Sequence, residues 1–418
     1  MSRGNSAKRF LKYRLPLLSL YIRKKEQMKR ILKIAAVVAM GMLLWTGVEA
    51  AGVKGKWSPK RGETFANLAL CYGGNTARRP AQWDKARFAS HVTWTDPKGE
   101  EQWLFDAFLP LDYEISDQSG RHFTMANDFD DGKVESAGKQ QWQQFIDYWF
   151  ASEETGLHAL DDAIEDAAKR IGKPRYKRKV LMNMPDAILH QFYGDTLSSS
   201  TYWGEYEGRT LDFHDNYQRF LAVRWYIDKV SETFRDAHFK HLELIGFYIH
   251  HEEIPTPWNG WRWAWKKTDI LYPLISKYLH DQGYCLGWIP YREGAGYDMK
   301  DELGIDYCWM QPNYFWRGDD YRWDETIGMI YSGGDCIEFE FDDNLLTETP
   351  DHDIYRKRFL QYIYYTISSG LYERPVAYYL GHDTVYKFAI SEDPQEKRLF
   401  NNFCRFLTGH PLRDKIRK

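Results

Sequence analysis

Cysteine is scarce in this chain: five in 418 residues, an odd number with no pair at zinc-ligand spacing. That removes a structural zinc motif and argues against a disulfide framework. Cys71, Cys285, Cys308 and Cys336 each sit in or beside an apolar strand-like run and Cys404 in a helical pattern, so all five read as buried thiols. A Gly-rich phosphate turn is also missing. Gly73-Gly74-Asn75 is a plain loop and Gly294-Ala-Gly296 lacks its third glycine, which excludes a dinucleotide site. There is no Gly-x-Ser-x-Gly elbow, and neither Cys71 nor Cys308 has an evident histidine base, so acyl-transfer triads fall away. Basic excess is absent, with 56 Lys and Arg against 59 Asp and Glu, which speaks against nucleic acid as a partner. No internal repeat is visible and no Pro/Ser-rich linker divides the chain after residue 50, so a single domain is expected.

Long apolar runs are missing too, and this shapes the reading of the N-terminus. Met28-Lys-Arg-Ile-Leu-Lys33 is basic, Ile34 to Trp45 is apolar but short for a membrane span, and Val48-Glu49-Ala50 precedes Ala51 as a small-residue cleavage site. Residues 28–50 therefore read as a signal peptide, with a retained signal anchor as the alternative. Residues 1–27 read as an extension from a mis-assigned start, and 51–418 as the mature domain. The implied location is secreted or periplasmic, with no membrane association of the mature form. Cleavage leaves 368 residues and moves the net charge from −3 to about −12, because the first fifty residues hold eleven basic and two acidic side chains. A neutral polymer suits this balance, and 17 Trp and 29 Tyr offer flat faces to it.

Eight segments read as short buried strands: 67–72, 103–109, 179–183, 242–250, 284–290, 305–311, 336–341 and 375–380. Helical periodicity fills 82–92, 140–170, 215–237, 268–281, 355–369 and 395–407. Eight strands alternating with helices predict an α/β fold of the (β/α)₈ barrel type rather than a sandwich or an open doubly wound sheet.

In such a barrel the carboxyl ends of the strands converge on one mouth. The segment Leu242 to Pro255 ends an apolar run in His250-His251-Glu252-Glu253, and in Asp335 to Asp342 alternation puts Glu338, Glu340 and Asp342 on one face. The other expected mouth residues are Tyr72, Asp106, Asn183, Tyr291, Gln311, Asn313 and His382. Acids, amides and phenols with few bases are what a sugar site requires. The ends of the fourth and seventh strands lie across the mouth from one another, so Glu252 is expected as acid/base and Glu340 as an ionised nucleophile. An ion pair in the barrel layer is the competing role for each, and Glu253 with Glu338 is the competing pair. Trp258, Trp261, Trp263, Trp265, Tyr314 and Trp316 follow strand ends as stacking platforms or as loop packing. No metal is expected. His250 and His251 point to opposite faces, and the Asp128-Phe-Asp130-Asp131-Gly132 loop lacks the last acidic ligand of a calcium loop. No cofactor is expected either.

Several segments together resemble the bacterial secreted family called domain of unknown function 4855. They are Asn67-Leu-Ala-Leu-Cys-Tyr72, Phe105-Asp106, Gly246-Phe-Tyr248 with its following Glu, Trp288-Ile-Pro-Tyr291, Gln311-Pro-Asn-Tyr314 and Glu338-Phe-Glu340-Phe-Asp342. The resemblance implies a TIM barrel related to glycoside hydrolases. One departure is Ile249, where a tryptophan is expected after Gly-Phe-Tyr. The combined expectation is a glycoside-hydrolase-like protein acting on poly- or oligosaccharide, with Tyr72, Asp106, Tyr248, Trp261, Tyr291, Gln311, Asn313, Tyr314, Glu338 and Asp342 binding the sugar. A non-catalytic glycan-binding barrel, or a polysaccharide lyase or deacetylase using the same mouth, is the alternative.

Overall fold

The computed structural model describes residues 65–73, 82–112, 114–116, 119–124, 135–187, 202–213, 215–254, 268–292 and 294–416. The expected signal peptide, the Asp128 loop and the tryptophans from Trp258 to Trp265, Trp261 among them, lie outside these residues.

Eight strands form a closed barrel: β1 (Asn67–Tyr72), β2 (Ala107–Leu111), β3 (Arg178–Met184), β4 (Leu242–Ile249), β5 (Cys285–Trp288), β6 (Tyr307–Met310), β7 (Cys336–Glu340) and β8 (Val376–Tyr379). Every neighbouring pair is parallel, and β8 closes onto β1 through Asn67↔Val376. Parallel strands flanked by helices are covered on both faces, which is why β1, β2, β3 and β7 are buried at every position. Alternation divides each strand between two apolar populations. Leu68, Leu70, Leu109, Leu181, Tyr307 and Trp309 fill the barrel, while Phe108, Val180, Phe247, Ile337 and Phe339 face the helices. The interior is plugged by Phe65, Tyr307 and Trp309, whose successive ring centroids are each 5.3 Å apart.

The helical layer contains α1 (Lys85–Val92), α2 (Lys139–Phe150), α3 (Gly156–Ile171), α4 (Asn216–Asp236), α5 (Thr268–Asp281), α6 (Tyr314–Arg317), α7 (Trp323–Gly333), α8 (His352–Ser368), α9 (Thr384–Ile390) and α10 (Pro394–Thr408). Asp84, Asp215 and Asp393 cap α1, α4 and α10 by accepting first-turn amides. The continuous helix expected over 140–170 is two helices. Gly156 has φ of +65° and a Cβ there would lie 2.5 Å from the Trp149 carbonyl oxygen, so the chain turns at this glycine. The short helix α7 is diluted by glycine and carries no clear periodic signal.

The second strand begins later than the sequence pattern implies. Glu101–Trp103 pairs antiparallel with Thr93–Thr95, and the chain enters the barrel only at Ala107. Asp106 consequently precedes β2 and sits at the amino-terminal end of the barrel, opposite the mouth where it was expected. Its carboxylate accepts the amide of Asn67 at 2.7 Å and that of Ala66 at 3.0 and 3.1 Å, tying down the start of β1. A register shift between Leu244 and Gly246 lets Ile245 and Tyr248, three residues apart, both face the interior. Only glycine fits at 246, where a Cβ would collide with the Cys285 carbonyl oxygen. All five cysteines are free and buried.

Candidate active site

Glu252 leaves β4 on a backbone that is held from three sides. The Trp288 indole donates to the His251 carbonyl at 2.7 Å, the Tyr291 amide to the Glu252 carbonyl at 3.1 Å, and the Ile254 amide to the Ala295 carbonyl at 2.7 Å. Two residues before Glu252, buried His250 meets the amide of buried Asn183, at the end of β3, with Nδ1 and Nδ2 2.9 Å apart. His251 instead accepts the Glu253 amide on its own Nδ1, so the two imidazoles serve different neighbours. Among the described residues no group of three or more metal-ligating side chains converges.

The Gln311-Pro312-Asn313 turn after β6 links the two expected catalytic carboxylates. Gln311 donates from Nε2 to Glu252 Oε1 at 2.9 Å, and its own Oε1 takes a bond of 3.4 Å from Asn313 Nδ2. The Asn313 amide donates to the Glu340 carboxylate. The local sequence explains this placement: Pro312 keeps Gln311 extended, and Asn tolerates the left-handed conformation that Asn313 adopts, with φ of +55°.

From β7, Glu338 and Glu340 both point toward the interior and are buried, at 2% and 1% exposure. Burial lifts both carboxyls above the ordinary range. Glu340 is pushed up to about 8 by burial and the nearby Glu252 charge, opposed by two donors, the Tyr362 hydroxyl on α8 and the Asn313 amide. Glu338 rises well above the carboxylate range through burial, then repulsion by Glu340 and Glu252. The three carboxyls thus act on one another electrostatically, Glu252 raising the proton affinity of both β7 acids. Glu340 therefore holds its proton more tightly than an ordinary carboxyl does.

Beside this cluster runs an edge-to-face row of rings. Tyr72 at the end of β1 meets Tyr379 at the end of β8, and Tyr379 meets Trp316, each with centroids 5.5 Å apart. Asp342 anchors the row by accepting the Trp316 indole at 3.0 Å. Tyr291 is half-buried with its hydroxyl 2.6 Å from that of Tyr321. Tyr248 is buried inside the barrel two residues before His250. Exposed His382 follows β8.

Tyr314 does not serve the mouth as expected. It turns into the helix layer, with its ring 4.9 Å from Trp323 and its hydroxyl donating to Gln361 at 3.0 Å. Tyr379 and Tyr362 belong to the site without any signal in the sequence. The first is an ordinary strand aromatic until β1 closes against it, and the second is one buried position on a long helix.

The fold and the mouth define a (β/α)₈ barrel that carries a carboxylate cluster at the carboxyl ends of β4 and β7, half-buried at Glu252 and buried at Glu338 and Glu340, bracketed by a Gln-Pro-Asn turn. The chain belongs to the family described as Domain of unknown function (DUF4855), whose model matches residues 67–405. No curated protein matches it. Among solved structures it is similar to a glycoside hydrolase family 5 enzyme from Prevotella bryantii B14, with 10% identity, 83% of this chain and 99% of that chain covered, and a TM-score of 0.39. It is also similar to a Bacillus subtilis mannanase (10%, 81% and 86% covered, TM-score 0.36) and a Bacteroides ovatus family 26 β-mannanase (11%, 82% and 88% covered, TM-score 0.34). Likenesses this distant carry no functional weight.

Proposed function

We propose that this protein is a secreted or periplasmic glycoside hydrolase that cleaves poly- or oligosaccharide with two carboxylates, Glu252 as acid/base and Glu340 as nucleophile. The observation that carries the reading is the Gln311-Pro312-Asn313 bracket. It donates to Glu252 through Gln311 and to Glu340 through the Asn313 amide, tying together carboxylates from two separate strands. The row Tyr72, Tyr379 and Trp316 supplies ring faces and edges for a pyranose, and Asp342, Asn183 and Gln311 supply hydroxyl partners.

In the first step Glu252 gives its proton to the leaving oxygen while the Glu340 carboxylate attacks the anomeric carbon. In the second Glu252 takes a proton from water as the water oxygen attacks the anomeric carbon, which breaks the bond to Glu340, releases the sugar and restores the Glu340 carboxylate. Glu340 must be ionised for attack, and its two donors, Tyr362 and Asn313, favour that form. Cationic charge developing on the sugar ring favours it further. The raised proton affinity of Glu340 supports a second reading, in which Glu340 is the acid and Glu252 the base or nucleophile.

Purified protein incubated with a glycan panel tests the proposal. New reducing ends, abolished in Glu340→Gln with the fold retained, are expected. Unsaturated products would mark a lyase, released acetate a deacetylase, and retention without turnover a glycan-binding barrel. For export, the N-terminus of the protein recovered outside the cytoplasm should begin near Ala51.

A further inference from the structure

A recess of about 100 Å³ lies at the amino-terminal end of the barrel, between Trp103, Asp106, the 174–179 segment and Arg413. Among its described lining residues five are cationic and Asp106 is the one acid. Most of these groups are engaged. Asp106 holds the start of β1, Lys179 pairs with Glu243 at 2.7 Å, Lys177 donates to the Phe239 carbonyl at 2.8 Å, and Arg413 donates to the carbonyls of Trp103 and Leu104.

Arg178 differs from them. It is 7% exposed, its guanidinium lies 4.8 Å from the Trp103 ring centre, and its Nε and Nη2 have no hydrogen-bond partner among the described residues. Those two nitrogens form one edge of the guanidinium. The same edge grips a carboxylate twice elsewhere in this protein: Arg87 on Asp383 at 3.0 and 3.1 Å, and Arg170 on Glu101 at 2.9 and 2.6 Å. Stacking on Trp103 therefore leaves a rigid two-donor fork in a cationic recess. Burial, with Arg413 adding to it and the Asp106 charge opposing it, lowers the Arg178 pKa to about 10, so the group is still charged at neutral pH. A buried cation with two unsatisfied donors is costly, and one oxyanion satisfies both.

We propose that this recess binds a single small oxyanion, a phosphate, sulfate or free carboxylate, through the Nε and Nη2 edge of Arg178. The recess is too small for a chain, and its described lining carries five cations against the single carboxylate of Asp106. The site lies at the opposite end of the barrel from the carboxylate cluster and does not depend on the proposed hydrolase function.

The test uses the full chain. Thermal unfolding and titration calorimetry are run with inorganic phosphate, sulfate and acetate, each against chloride at matched ionic strength. A saturable rise in melting temperature and one site per chain are expected for at least one of the three anions. Arg178→Lys keeps the charge but loses the fork, so it should weaken Kd by about tenfold or more, the equivalent of one hydrogen bond to a charged group. Arg178→Met should abolish the response. If the Met variant does not fold, the Lys variant carries the comparison. No saturable response beyond chloride to any of the anions, or an unchanged Kd in Arg178→Lys, overturns the proposal.

Discussion

The bond from Tyr362 to Glu340 offers the sharpest test of how this site holds its protons. Both groups are fully buried, so Tyr362→Phe removes one hydroxyl and admits little water in its place. A hydrogen bond to a charged group contributes about 1.5 to 3 kcal/mol, and one pKa unit corresponds to about 1.4 kcal/mol. The Glu340 carboxyl, already at about 8, should therefore rise by roughly one to two units. Carboxyl carbon NMR reads this directly, with Glu340→Gln assigning the resonance. Kinetics then decide the role. A nucleophile must be ionised, so kcat/KM should climb as pH passes through about 8 in the parent protein and climb later in Tyr362→Phe. An acid must be protonated, and the same shift would instead extend activity to higher pH. A Glu340 titration that stays in place or moves down would refute the electrostatic account, whatever the activity.

Asp106→Ala orphans the Ala66 and Asn67 amides, so it should lower stability by about 1 to 3 kcal/mol in thermal unfolding while kcat/KM stays unchanged; a loss of turnover with intact stability would return Asp106 to the site. Because Glu338 and Glu340 hold protons in the fold that they release in the unfolded chain above about 4.5, their contribution to stability is complete below that pH. It is lost as pH rises toward about 8 and beyond, and Glu338→Gln should flatten the fall in melting temperature, so parallel curves would count against the buried cluster. Trp316→Ala breaks the ring row and frees Asp342, and should raise KM more than it lowers kcat in steady-state kinetics.

The fold is legible in the sequence because its signals are local. A parallel strand covered on both faces is a short unbroken apolar run, and each run ends where the chain reaches the polar mouth. Leu242–Ile249 leading to Glu252, and Cys336–Glu340 with its alternating acids, stand out for that reason from the order of residues alone, as does the Gln-Pro-Asn-Tyr segment that carries the family resemblance. What a residue faces is another matter, since that depends on partners distant in the chain. Asp106 has the pattern of a mouth residue, but the pairing of Thr93–Thr95 with Glu101–Trp103 moves the start of β2 past it. Tyr314 has the pattern of a platform, but α8 and Trp323 take it into the helix layer. Tyr362 and Tyr379 have no motif at all. Their roles exist only because α8 packs behind β7 and because β8 closes onto β1. Proton affinity belongs to the same class, because that of Glu340 is set by burial and by Tyr362, Asn313 and Glu252, which reach it from three distant parts of the chain.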